Sequence, residues 1–178
     1  MPKRSKTQIE KDETKILKEL EKNANKSINE IAKKCGFSRQ KVWRIIKRLE
    51  KDNTIWGYVT LVDKEFKGSN SYIMLVKRTT TPITKDLVEL ITKRKLEKAA
   101  EKYDVILDCS SYTNGAYDWV IHFSAIDIKH AKRFVEEMNH TYHGFIKEII
   151  LLEDIFLIKR CGLLNPELER LHEFYTGR

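Results

Sequence analysis

The chain has 178 residues, a formal net charge of +8, 41% hydrophobic and 34% charged residues, the profile of a globular chain long enough to bury a core and near the lower limit for two compact domains. No apolar run approaches the roughly 20 residues of a membrane helix, and "MPKRSKTQIEKDE" lacks the hydrophobic centre of a signal peptide, so no membrane is expected among the partners and the expected location is the cytoplasm. Residues 1–62 hold 16 Lys or Arg against 8 Asp or Glu, whereas residues 63–178 hold 18 of each, so the whole positive excess sits in the first third, where a polyanion would be met.

From Lys11 to Lys22, Ile16, Leu17 and Leu20 recur at helical spacing, with acidic residues early and Lys later, as the helix dipole favours. After "NANK", Ser27 is placed as an N-cap with Glu30 three residues on, a capping box, and Ile28, Ile31 and Ala32 share one face. Gly36 stops this short helix. Ser38 then caps a third helix running to about Asp52, on which Val42, Ile45, Ile46 and Leu49 form one apolar stripe.

Opposite that stripe stand Gln40, Arg44, Lys47 and Lys51, with Lys41 and Arg48 on one flank and Trp43 on the other. A short helix, a Gly-containing turn and a cationic helix make a helix-turn-helix, whose second element enters the major groove of DNA. Residues near the start of that helix reach base edges, which nominates Arg39, Gln40, Trp43 and Arg44. Lys41, Lys47, Arg48 and Lys51 suit phosphate contacts, and Ser27 and Ser38 present helix N-termini, which also suit phosphates. For Trp43, at the stripe's edge, core packing and base readout both stay open. "TIWGYVTLVD" reads as a wing or strand.

The polar stretch "DKEFKGSN", residues 63–70, reads as a hinge between a first domain at 1–62 and a second at 71–162. Within the second, "SYIMLVKRT" is strand-like, and "TPITKDLVELITKRKLEKAAEKY" is helical in composition, with Pro82 just before its start. "DVILDCSSY" and "YDWVIHFSA" are strands around the turn "TNGA", and Tyr117, Trp119, Ile121 and Phe123 alternate onto one face. Asp127 caps a helix carrying Ile128, Ala131, Phe134, Val135 and Met138, and "FIKEIILLEDIFLIKR" is a further strand. The order β-α-β-β-α-β is the ferredoxin-like split unit, giving an α+β fold whose sheet has one bare face that a second copy would cover. Residues 163–178 extend the chain, with a helix started by Pro166.

These residues resemble the Lrp/AsnC family of transcriptional regulators, also called feast/famine regulators. The likeness rests on "DETKILKELEKNANKSINEIAKKCGFSRQKVWRIIKRLEKDNTIWGYVTLVD" and "TNGAYDWVIHFSAID", and covers about residues 10 to 160. A capping Ser followed by R-I-x-R-L-E and I-x-G-Y runs from Ser38 to Tyr58, and Gly115, Tyr117 and Asp118 match the family's G-x-Y-D turn. The resemblance implies a winged helix-turn-helix on an effector-binding, oligomerising domain, in homodimers that often assemble to octamers, binding double-stranded DNA as a nucleoid-associated regulator. It also implies an amino acid or related effector between second domains, near Gly115, Tyr117 and Asp118. Two departures stand out: Thr80–Tyr103 is longer than the family's usual first helix, and the C-terminal extension has no counterpart. From the residues alone, Gly115 can instead serve the hairpin and Asp118 a backbone donor.

No catalytic residue, cofactor or metal is expected. Cys35, Cys109 and Cys161 lie far apart without a C-x-x-C pair, so free thiols are the expectation, and no Ser-His-Asp order, phosphate loop or carboxylate pair is present. Two rivals share the layout. One is a sirohaem-decarboxylase-like enzyme subunit, which would need His122, His140 and His143 to converge on a tetrapyrrole. The other is a chromatin-like binder without sequence preference. The row of exposed cations after a capped turn favours sequence-specific DNA binding over the enzyme.

Overall fold

Residues 6–177 are described by a computed structural model, so the outermost residues of the two terminal assignments, 1–5 and 178, lie outside the described residues. The described residues form two compact units, one holding those up to Leu61 together with those from Ile158 on, the other Val62–Leu157.

The first unit opens with helix α1 (Lys6–Lys22), followed by α2 (Ile28–Cys35) and α3 (Arg39–Lys51). Its core is the expected stripe. Val42, Ile45, Ile46 and Leu49 of α3 bury against Ile16 of α1 and Ile31 and Ala32 of α2, with Leu17, Leu20, Ile28, Phe37 and Ile55 around them. Each large aliphatic removed from water here contributes about 1.5–3 kcal/mol before entropy is counted, so the stripe anchors the polar face that it leaves outside. Helix α1 begins five residues before Lys11, which moves Asp12 and Glu13 out of the first turn and into the helix middle. Their role is therefore not the dipole interaction that the sequence suggests.

The segment from Trp56 to Asp63 forms no regular strand. β-branched and aromatic residues favour a strand only where a partner satisfies the backbone and a neighbour covers the side chains, and Trp56 at 95% and Val59 at 82% exposure have no such cover among the described residues.

In the second unit a single helical turn, α4 (Lys64–Lys67), within the expected hinge, leads into β1 (Asn70–Arg78). Then follow α5 (Lys85–Thr92), α6 (Lys95–Lys102), β2 (Ile106–Tyr112), β3 (Trp119–Ala125), α7 (Ile128–Thr141) and β4 (Ile146–Glu153). The strands form one antiparallel sheet in the order β2-β3-β1-β4, the ferredoxin-like arrangement. Tyr72, Met74 and Val76 of β1 and Trp119, Ile121 and Phe123 of β3 face α7, which contributes Ala131, Phe134 and Met138. Thr84 caps α5 and Asp127 caps α7 through side-chain oxygens that accept from Leu87 and His130 backbone N–H groups. Tyr117 lies before β3, half-buried, rather than on the strand with Trp119, Ile121 and Phe123.

Two segments read as single elements are broken. The helical composition from Thr80 to Tyr103 is divided by Arg94, held in the left-handed region at φ 55°, so α5 and α6 are separate. Helix propensity says nothing of where a chain must turn to stay on a sheet. The apolar run after Phe145 stops pairing at Glu153, and a two-residue hairpin follows, β5 (Lys159–Arg160) with β6 (Leu163–Leu164). The last helix, α8 (Arg170–Thr176), starts four residues beyond Pro166.

Candidate nucleic-acid interface

The turn between α2 and α3 explains why α3 stands where it does. Gly36 terminates α2 in the left-handed conformation at φ 70°, which a residue with a Cβ adopts at a cost of about 1–2 kcal/mol. The backbone N–H of Phe37 then donates to the Ala32 carbonyl at 2.9 Å, and Ser38 caps α3 by accepting from the Lys41 N–H at 3.3 Å.

The two caps differ in what they offer an anion. At α2 the capping box is complete: the Ser27 Oγ accepts from the Glu30 N–H at 3.2 Å, and the Ser27 N–H donates to Glu30 Oε2 at 2.8 Å. The Ser27 hydroxyl, which also donates to Glu30 Oε2 at 2.7 Å, and then the Ser27 N–H hold the Glu30 carboxyl below its usual range. Its negative charge thus already occupies this N-terminus, where a phosphate would be repelled. The first turn of α3 contains no acidic residue, so its dipole, and its N–H groups other than that of Lys41, remain open to an anion.

The outward face of α3 divides into free and engaged cations. Arg39, Gln40, Trp43, Arg44, Lys47 and Lys51 are all exposed. Among the described residues the side chains of Arg39, Gln40, Arg44 and Lys51, all on α3, have no hydrogen-bond or ion-pair partner within the chain. Lys47 pairs with Glu50 at 2.8 Å, and Glu50 also accepts from the Tyr58 hydroxyl at 3.1 Å. Lys47 first, then Tyr58, lowers the Glu50 carboxyl from its ordinary range. Lys41 bends back: its ammonium lies 2.6 Å from Asp12 Oδ2 and 3.4 Å from the centre of the Phe37 ring. Arg48 pairs with Glu13 of α1. Of the four cations assigned to phosphates, Lys41 and Arg48 thus also brace α3 against α1.

Trp43 is 52% exposed and outside the core, so the packing reading for it is excluded. Asp12, Glu13 and Phe37 are the residues whose roles the sequence did not disclose. The available signal was their spacing: Asp12 precedes Ile16 and Glu13 precedes Leu17 by one helical turn, which sets both carboxylates on the inward side of α1.

Residues 12–55 match the family model for the winged helix-turn-helix DNA-binding domain. The chain is 25% identical, over 128 residues, to an uncharacterized HTH-type transcriptional regulator of Pyrococcus horikoshii, covering 71% of this chain and 77% of the relative. Its structure superposes on that of an AsnC family transcriptional regulator from Agrobacterium tumefaciens with a TM-score of 0.64 at 20% identity, over 88% of this chain and 96% of the other.

The chain carries a winged helix-turn-helix DNA-binding domain and has the fold of the Lrp/AsnC regulators.

A transcriptional regulator of Neisseria meningitidis, crystallised in complex with L-Met, matches this winged helix-turn-helix protein with a TM-score of 0.62 at 17% identity, over 89% of this chain and 97% of the other. In the second unit, the residues that the resemblance nominated for an effector lie in and beside the β2–β3 turn. Gly115 is exposed, and its missing Cβ would meet no atom within 4 Å. Thr113 Oγ1 donates to the Tyr117 carbonyl at 2.6 Å. Asp118 accepts from the Arg78 backbone N–H at 2.9 Å and from Arg78 Nε at 3.2 Å, tying the hairpin to the end of β1.

The three histidines of the enzyme reading do not come together. His122 is on the sheet face turned away from Ile121 and α7, while His140 and His143 are exposed at the end of α7. No cluster of three or more His, Cys, Asp or Glu that could hold a metal is present among the described residues.

Proposed function

We propose that this winged helix-turn-helix protein is a sequence-specific transcriptional regulator that reads DNA through the first half of α3. One observation carries this reading. Arg39, Gln40 and Arg44 stand exposed and without partners just beyond a capped helix N-terminus that no acidic residue occupies. In such a position Arg pairs with guanine and Gln with adenine in the major groove, with Trp43 beside them. Lys51, Lys47 and the Ser38 end of the helix would supply phosphate contacts, and Lys41 and Arg48 would contribute to the local potential while remaining braces.

Self-association supports two recognition helices on one site. The sheet face away from α7 presents Ile73, Leu75, Val120, Ile150 and Leu152, partly exposed. Such a face in water calls for cover, and a second copy in a homodimer, or an octamer built from dimers, supplies it with symmetry. Half-sites would then lie one DNA turn apart, roughly 34 Å. An amino-acid effector near Gly115, Tyr117 and Asp118 draws support from the L-Met complex of the Neisseria regulator. Asp118 would have to share its carboxylate between that ligand and Arg78. No helix among the described residues is long and apolar enough to cross a membrane; a cytoplasmic, nucleoid-associated role without enzymatic activity belongs to this proposal.

In vitro selection of DNA sites with the purified chain, repeated with a pool of amino acids, tests this. A pseudo-palindromic motif is expected, with its enrichment altered by the pool. Equal enrichment of random sequences at every salt concentration would replace this reading by the chromatin-like one.

A further inference from the structure

Trp43 is the one large apolar side chain that α3 leaves in water, at 52% exposure. A lone exposed apolar residue needs no function of its own; the position of this one supplies it. Trp43 follows Arg39 by four residues and Gln40 by three, so the three share one side of the helix. Long helical side chains lean back over the turn before them. The indole is thereby brought to the level of Arg39 and Gln40, at the capped start of α3 and beside the residues that would enter a groove.

Nothing in the chain holds the ring there. Val42, Ile45, Ile46 and Leu49 supply the α3 side of the core without it, and among the described residues it has no hydrogen-bond or aromatic partner. One turn away on either side stand Arg39 and Lys47. Glu50, the acid of α3, lies two turns on and is already engaged by Lys47 and the Tyr58 hydroxyl. An indole framed by cations is poorly placed to receive a second copy of the same basic surface. It is well placed between two phosphate strands, which those cations attract.

Inside a major groove the contacts open to such a ring are few. Every base pair presents hydrogen-bonding groups there, and the only apolar group among them is the C5 methyl of thymine. Against a donor or acceptor the ring face would displace water and return no bond, whereas against the methyl it buries apolar surface on both sides. We infer that Trp43 is a specificity residue that reads a thymine through its C5 methyl, beside the pairs contacted by Arg39, Gln40 and Arg44. The inference rests on the DNA reading of α3 and adds to it one base and one chemical group. The polar residues select by hydrogen bonds, and Trp43 selects by the presence of a methyl.

Fluorescence anisotropy of the full chain on the selected site tests this, with each thymine of the half-site replaced in turn by deoxyuridine, which lacks only the C5 methyl and pairs as before. At one position of each half-site the affinity should fall about fourfold, the equivalent of one buried methyl-sized group. In Trp43→Ala, whose urea midpoint should match the parent because the residue lies outside the core, that site and its deoxyuridine form should bind alike. The deoxyuridine series uses the unaltered protein and decides the question even if the variant folds poorly. A preference for thymine that persists in Trp43→Ala would assign the methyl to another residue or to DNA shape and overturn the contact. A selected motif in which no thymine is sensitive would overturn it too and leave the regulator reading intact, whereas the absence of any motif would remove both.

Discussion

The ammonium of Lys41 lies 2.6 Å from Asp12 Oδ2, and with 20% and 6% of their side chains exposed the two form a largely buried ion pair between the recognition helix and α1. Gln8 adds a hydrogen bond to Asp12 at 3.0 Å, and the Phe37 ring lies under the Lys41 charge. Removing one member leaves the other charged and dry, which costs more than the pair contributes. Lys41→Ala should therefore destabilise the first unit by about 2 kcal/mol, seen as a lower urea midpoint. The double variant Asp12→Asn/Lys41→Met should regain most of the loss. Equal losses in the single and double variants would mean that the missing packing of the Lys stem, not the ion pair, is responsible.

Arg44→Ala should behave in the opposite way. Arg44 is exposed and has no partner within the chain, so thermal stability should stay within about 0.5 kcal/mol of the parent, while affinity for the selected site falls by the equivalent of about 1–3 kcal/mol. Fluorescence anisotropy on the selected site and on a scrambled duplex separates the two effects. A lost fold would show that α3 faces the other way.

Lys47→Ala should weaken both duplexes about equally and flatten the salt dependence by about one counterion. Its pairing with Glu50 means that the bridge must be exchanged for a phosphate on binding, so Glu50→Gln should strengthen binding to both duplexes. A base preference changed in Lys47→Ala would move this residue among those that read sequence.

How far these outcomes could be foreseen follows from the range of each interaction. Local signals were legible: the Ser27–Glu30 box, the Gly36 stop, the Ser38 cap and the stripe from Val42 to Leu49 all lie within one or two helical turns, where spacing determines geometry. The ferredoxin-like order was legible for the same reason, since each element carries its own periodicity. Lys41 was not, because its partner is 29 residues earlier on another helix, and a cation on the flank of a stripe looks the same in sequence whether it meets water or Asp12. Arg94 was not legible either, because nothing in "ITKRKLEK" marks a left-handed residue. The Trp56–Asp63 segment has strand-like composition, but pairing is a property of two segments and no partner strand for it lies among the described residues.

Acid should loosen the N-terminal helices through Glu19. Its carboxylate meets Lys22 and Lys26 at 2.9 Å and Lys34 at 3.6 Å, and the hydrogen bonds from Lys26, then Lys22, lower it from 4.5 to about 2. A carboxyl depressed in the folded state stabilises above its unfolded value and loses that contribution as the pH falls through the folded one. The loss should thus run between about pH 4.5 and pH 2. Urea midpoints across that interval should fall less steeply in Glu19→Gln than in the parent, and parallel profiles would remove Glu19 from the acid response.

Gly36→Ala tests the geometry of the turn that presents α3. A Cβ at this position would meet no atom within 4 Å, so crowding contributes nothing and the whole cost is the left-handed backbone at φ 70°. That cost is about 1–2 kcal/mol for alanine and less for asparagine, whose short polar side chain tolerates the conformation. Gly36→Ala should lower the urea midpoint more than Gly36→Asn, and neither should change the denaturant slope, because the surface exposed on unfolding is the same. Equal stability of the alanine and glycine forms would show that the chain leaves α2 without the left-handed residue. The start of α3, and with it Arg39 and Gln40, would then take a different direction.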